Sequence, residues 1–142
     1  MSSAQLPAVL FVDDDESLLV TAAAIAEDDF QVTTARSGVE ALACLSTREF
    51  DVLCTDLQMP GMDGLTLLQH VAQAHPLVSG VLITGHRDFL RKRMDYKLSY
   101  AVLLKPYQTT ELIERLQRGA QMAKLKRTLE LRKRADFVSR KR

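Results

Sequence analysis

Six residues of this chain combine side chains suited to phosphate or metal chemistry with positions at the ends of apolar runs. Asp13, Asp14 and Asp15 close Ala8–Val12, Asp56 closes Asp51–Thr55, and Thr84 and Lys105 close two further runs. Carboxylates pressed together repel, and each favours protonation over sharing the space as an anion. A divalent cation relieves that repulsion. Mg²⁺ takes hard oxygen ligands, a few from protein and the rest from water and phosphate, so Asp13, Asp14 and Asp56 form a candidate Mg²⁺ cluster. Thr84 can donate a hydrogen bond to a phosphoryl oxygen, and Lys105 can supply a point charge to it. Phosphoryl transfer asks mainly for positioning and charge neutralisation, and a carboxylate can serve as its nucleophile. Taken singly, an Asp after a strand is usually a helix cap, and a lone Lys is usually a surface residue. The conjunction of four strand ends, each closing on a useful group, is what chance does not readily supply.

The elements that must position these groups are legible as alternating apolar and helical stretches. Ala8–Val12 is a continuous apolar run, as in a strand covered on both faces. Strands are predicted over Phe30–Thr34, Asp51–Thr55, Gly80–Thr84 and Tyr100–Leu104. Helices are predicted with core faces at Leu18, Ala22 and Ile25, then at Ala41, Leu42 and Leu45 after Ser37-Gly38, then at Leu65, Leu68 and Val71, stopping before Pro76. A basic helix is predicted from Phe89 to Leu98 and a long one from Thr109 onward. Five strands, each followed by a helix, predict an α/β fold with a doubly wound parallel sheet. In such sheets ligands sit at the carboxyl ends of the strands, where the six residues lie.

Composition excludes several classes. With 142 residues, 46% hydrophobic and 26% charged, the chain fits a single globular domain and has no bilayer-length apolar run. Met1-Ser2-Ser3-Ala4-Gln5 has no basic segment leading into an apolar one, so a cytoplasmic protein without a secretory signal is expected. Cys44 and Cys54 are read as reduced core residues, a disulfide between them being the alternative. The net charge of +1 hides an asymmetry. Residues 1–86 hold 2 basic and 12 acidic residues, and residues 87–142 hold 17 basic and 6 acidic. An acidic region and a separate basic one are therefore expected.

The stretches Phe11-Val12-Asp13-Asp14-Asp15, Thr55-Asp56-Leu57-Gln58-Met59-Pro60-Gly61-Met62-Asp63-Gly64, Leu82-Ile83-Thr84-Gly85 and Lys105-Pro106-Tyr107 resemble the receiver domains of two-component response regulators. The resemblance spans residues 7–120. It implies a flavodoxin-like five-stranded sheet in the order 2-1-3-4-5. It implies that Asp56 accepts the phosphoryl group, and that Asp13, Asp14, Asp56 and the backbone carbonyl of Gln58 hold Mg²⁺. Thr84 would be the switch hydroxyl, Lys105 would bridge to the phosphoryl group, and the Lys105–Pro106 bond would be cis. The implied donor is a sensor histidine kinase or phosphotransfer protein, and the only reactions catalysed would be the domain's own phosphorylation and dephosphorylation. Two departures stand out. Val102 occupies a position where many receivers carry an aromatic, and the segment from His86 to Ser99 is unusually basic, with Arg87, Arg91, Lys92, Arg93 and Lys97.

Two rival readings match parts of the sequence. A haloacid-dehalogenase-like phosphatase would use an Asp-x-Asp pair, which Asp13 and Asp15 match, but it leaves Asp56 without a role. It also needs an acidic pair beyond Lys105, where only the predicted-helix residues Glu111, Glu114, Glu130 and Asp136 stand. A nucleic-acid-binding regulator would use residues 124–142, which hold 9 basic and 2 acidic residues. A solvated helix is favoured over nucleic-acid binding by the tail alone. The receiver is assigned to residues 1–122 and a basic helical extension to residues 123–142. Leu112, Leu116, Ala120 and Ala123 form a core stripe on the last helix, while Met122, Leu125 and Leu129 form a second seam, suited to a homodimer or a partner helix.

Overall fold

The structure, a computed structural model, describes residues 5–88 and 100–140. Five parallel strands form one sheet in the order β2-β1-β3-β4-β5: β1 Ala8–Val12, β2 Gln31–Ala35, β3 Val52–Asp56, β4 Ser79–Thr84 and β5 Tyr100–Leu104. Four described helices accompany it: α1 Glu16–Ala26, α2 Gly38–Thr47, α3 Gly64–Ala74 and α4 Thr109–Arg140. The basic helix expected over residues 89–98 lies outside the described residues.

Alternation along each strand sorts its side chains between the two faces of the sheet. Val9 and Phe11 of β1, Val52 and Cys54 of β3, and Val81 and Ile83 of β4 pack with Leu19, Ala22 and Ala26 of α1 and Leu112 and Leu116 of α4. Leu10, Val12, Leu53 and Leu82 pack on the other face with Ala41 and Leu45 of α2 and Leu67, Leu68 and Val71 of α3. Strands covered on both sides can be apolar throughout, which is why β1 and β3 read as unbroken runs. The two cysteines are free, and they belong to opposite faces: Cys54 is buried on the α1/α4 side and Cys44 is half-buried on the α2/α3 side. The sheet lies between them, so a bond joining them has no route.

Two helix faces differ from expectation. In α1 the buried residues are Leu19, Ala22 and Ala26, with Leu18 exposed and Ile25 partly buried. The Asp15 side chain caps α1 by accepting from the Ser17 and Leu18 amides, which fixes the helix phase and turns Leu18 outward. In α3 Leu67 replaces Leu65 in the fully buried row. Strand bounds move by one residue for β2, β3 and β4. On α4 Leu112, Leu116 and Ala123 are buried, and contact with the body continues to Arg127. The Arg127 guanidinium bonds the Asp51 carboxylate and donates to the Phe50 carbonyl at 3.2 Å.

Candidate functional site

The carboxyl ends of β1, β3, β4 and β5 converge, because parallel pairing in register brings them level. Phe11 pairs with Cys54, Asp56 with Ile83, and Thr84 with Leu104. Asp56 is the last residue of β3, and its carboxylate is largely shielded, with a side-chain exposure of 13%. The Lys105 ammonium donates to Asp56 Oδ1 at 2.9 Å. Carboxylate oxygens of Asp13, Asp14 and Asp56 lie within 4.8 Å of one another. That is an all-oxygen donor set of the kind hard divalent cations prefer. A cleft of about 530 Å³ opens beside these groups, walled by Leu18, Leu19 and Ala22 of α1 and by Pro106 and Tyr107 after β5.

Electrostatics follow from this crowding. Asp13 is pushed above the usual carboxylate range chiefly by burial. The neighbouring negative charges of Asp56 and Asp14 act in the same sense, against the Asp15 amide, which donates to Asp13 Oδ1 at 3.0 Å. For Lys105, burial works to lower its pKa, but the hydrogen bond it donates to Asp56 and the charges of Asp56 and Asp13 more than offset it. The net effect holds the ammonium charged above its ordinary range. Burial raises the Cys54 thiol far out of reach of neutral pH, so this cysteine is chemically quiet beside the site.

Thr84 is buried at the end of β4, and its hydroxyl accepts the His86 amide at 3.0 Å. Its carbonyl accepts from the Lys105 amide at 2.8 Å, tying β4 to the lysine. The Lys105–Pro106 peptide is cis. Gln58 is an exposed residue of the loop between Asp56 and α3. Asp15 stands apart from the carboxylate cluster in function: its carboxylate accepts from Ser17 N and Ser17 Oγ at 2.9 and 2.6 Å, and the interaction lowers its pKa. With Asp15 engaged as a cap, the Asp13-x-Asp15 pair a phosphatase would use is not assembled. Glu111, Glu114, Glu130 and Asp136 all lie exposed on α4.

One structural requirement escaped the sequence reading. Gly64 begins α3, and a Cβ there would meet the Asp56 carbonyl oxygen at 2.1 Å. The Gly64 amide donates to the Leu57 carbonyl at 2.8 Å, closing the loop back onto the end of β3. In the sequence Asp63-Gly64 stands out only within the stretch that resembles the receiver family. The signal available was its pairing with Asp63 as helix cap, which accepts from Thr66 N at 2.8 Å.

Comparison with known proteins fits this geometry. Residues 9–117 match the family described as response regulator receiver domain. The chain is 37% identical over 113 residues to the DNA-binding transcriptional regulator NtrC of Salmonella typhimurium, covering 78% of this chain and 24% of that protein. It is 33% identical over 121 residues to the C4-dicarboxylate transport transcriptional regulatory protein DctD of Rhizobium meliloti, covering 84% of this chain and 26% of that one. The chain thus spans about a quarter of the length of these relatives. Among solved structures it is similar to the chemotaxis response regulator CheY4 of Vibrio cholerae, with a TM-score of 0.72 and 29% identity over 81% of this chain and 99% of that one. A response regulator receiver domain protein from Clostridium thermocellum superposes with a TM-score of 0.76 and 27% identity, covering 84% of this chain and 98% of that one. With the family matched from the first strand into the last helix, and the strand-end carboxylates, hydroxyl and lysine gathered at one edge of a 2-1-3-4-5 sheet, the chain belongs to the response-regulator receiver family.

Proposed function

We propose that this receiver accepts a phosphoryl group on Asp56 from a phosphohistidine, carried by a sensor histidine kinase or a phosphotransfer protein. The observation that carries the reading is the Lys105 Nζ to Asp56 Oδ1 contact of 2.9 Å, beside the Asp13 and Asp14 carboxylates. An Asp56 oxygen forms the new bond to phosphorus while the bond from phosphorus to the donor nitrogen breaks, and the imidazole leaves with the electron pair. Asp13, Asp14, Asp56 and the Gln58 carbonyl would hold Mg²⁺, which when bound neutralises charge on the phosphoryl oxygens. Lys105 would exchange its carboxylate partner for a phosphoryl oxygen without losing charge. Thr84 would release the His86 amide and turn its hydroxyl to another phosphoryl oxygen. The loop at Gly85 and His86 would follow, since a phosphoryl group shifts an equilibrium only through contacts that differ between states. Half-buried Val102 of β5 has no ring to swing inward, so the signal is carried by that loop. No multiple-turnover chemistry on a separate substrate is assigned.

The test is incubation with acetyl phosphate and Mg²⁺, followed by intact mass. One phosphoryl group per chain is expected, removable by hydroxylamine and absent from Asp56→Asn. Label that persists at the normal rate in Asp56→Asn overturns the assignment.

A further inference from the structure

Among the described residues three polar side chains are buried: Thr55, Ser79 and Thr84. Two of them have work already described. The Ser79 hydroxyl donates to the Gly119 carbonyl at 2.6 Å and ties α4 to β4, and Thr84 stands at the site. Thr55 is fully buried in β3, immediately before Asp56. Alternation along the strand puts it on the same face of the sheet as Leu53, the face covered by α2 and α3, and opposite to Cys54 and Asp56. A hydroxyl taken out of water costs stability unless it is bonded, and valine has nearly the same shape without that cost. The Thr55 hydroxyl is bonded to one particular atom: it donates to the Asp56 carbonyl oxygen at 2.9 Å.

We propose that Thr55 is a positioning residue for phosphorylation, locking the backbone of Asp56 from the opposite face of the sheet; the inference rests on Asp56 being the acceptor. The hydrogen bond closes a small ring that contains ψ of Thr55 and both φ and ψ of Asp56. Those angles set the direction in which the Asp56 side chain leaves the strand and in which the chain departs toward Gln58. A β-branched threonine is stiff about χ1, so the ring has little play. Neighbouring bonds complete the frame. The Leu57 amide donates to the Ile83 carbonyl at 3.0 Å, and the Leu57 carbonyl accepts from the Gly64 amide at 2.8 Å. The Gly64 backbone crowds the Asp56 carbonyl oxygen from another side, where a Cβ would meet it at 2.1 Å. The peptide joining Asp56 to Leu57 is therefore fixed at its carbonyl and at its amide. Gln58 follows directly, so the carbonyl proposed to hold Mg²⁺ inherits the same alignment. Phosphoryl transfer depends mainly on positioning, and misplacing a reacting group by about 1 Å can cost on the order of a hundredfold in rate. A hydroxyl that touches neither donor nor metal thereby governs how well both are met.

The test compares the parent chain with Thr55→Val, Thr55→Ala, Thr55→Ser and Asp56→Asn. Phosphorylation by acetyl phosphate at saturating Mg²⁺ is followed by intact mass, and Mg²⁺ affinity is measured on the unphosphorylated chains by titration calorimetry. Thermal melts give the folded fraction, so that every rate is expressed per folded chain. Thr55→Val keeps the β-branch and loses the donor. Its rate is expected to fall about tenfold and its Mg²⁺ affinity several-fold, the size usual when a partner that orients a ligating group is removed. Thr55→Ala lacks the donor with different packing and should be equally slow, which separates the hydroxyl from any folding defect of one variant. Thr55→Ser keeps the hydroxyl on a freer χ1 and should recover the rate to within about threefold of the parent. A hydroxyl serving stability alone would lower Tm in Thr55→Val and Thr55→Ala with rate per folded chain and Mg²⁺ affinity unchanged, and that result overturns the proposal. So does Thr55→Ser as slow as Thr55→Val. Label that persists in Asp56→Asn is a different failure: it removes the acceptor assignment, and the role of Thr55 falls with it.

Discussion

Among the three consecutive aspartates, the backbone assigns different work to neighbours of identical chemistry. Asp13 and Asp14 join Asp56, whereas Asp15 turns to the first turn of α1 and accepts from Ser17 and Leu18. Its bonds to that turn lower its pKa, so the folded state favours the anion. A carboxylate whose folded pKa is depressed contributes stability above its unfolded pKa and loses it as pH falls through the folded value. Asp15→Ala is therefore expected to lower Tm by a few degrees at pH 7, with the difference from the parent shrinking toward pH 3 in thermal melts. Asp13→Asn and Asp14→Asn should each weaken Mg²⁺ at least tenfold by titration calorimetry, because each removes a charged oxygen from a small donor set. Unchanged affinity in both would remove them from the metal site. The sequence already set Asp13 and Asp14 with Asp56 and left Asp15 aside; what it could not give was the cap itself, which depends on where α1 starts.

At the level of elements, β3 is held at both ends by groups that look ordinary in the sequence. At its carboxyl end α3 approaches so closely that Gly64 touches the Asp56 carbonyl. Gly64→Ala must displace the Asp56 backbone. It is expected to cost about 2–4 kcal/mol by chemical denaturation and to slow phosphorylation of the fraction that remains folded. At the amino end Asp51 accepts the Ala8 amide at 2.7 Å and binds Arg127, 76 residues away. Asp51 read as the first residue of a strand and Arg127 as part of a solvated basic tail, and nothing in local periodicity links residues so distant. β1, β3 and β4 were legible because a strand buried on both faces is apolar nearly throughout. The α1 face was not, because Leu18, Leu19, Ala22, Ile25 and Ala26 offer several helical phases of nearly equal hydrophobicity, and the Asp15 cap chooses among them.

For the whole molecule, the contact between α4 and the body sets where the compact unit stops. The boundary expected at Met122 precedes two contacts, buried Ala123 and the Arg127 pair with Asp51 and Phe50. A chain ending at Met122 is expected to lose about 2 kcal/mol of stability by denaturant unfolding, and one ending at Thr128 to stay within about 0.5 kcal/mol of the parent. Equal stability of the two truncations would mean that Ala123 and Arg127 add nothing to the fold. The opposed charges of the two halves were plain from counting, but their consequence needed the helix phase. The outer seam of Met122, Leu125 and Leu129 was legible from spacing, whereas the inward turn of Arg127 was not, because its partner Asp51 lies 76 residues away.

The Asp51 bridge also joins the first strand to the last helix at the floor of the sheet, with the Asp56 carboxylate at the far pole. Polypeptide therefore enters and departs on one side while the chemistry occupies the other. In engineering terms this makes the fold a cassette. A fluorescent protein or an affinity handle attached at either end, or the whole unit spliced into a loop of another host, should leave access to Asp56 unobstructed.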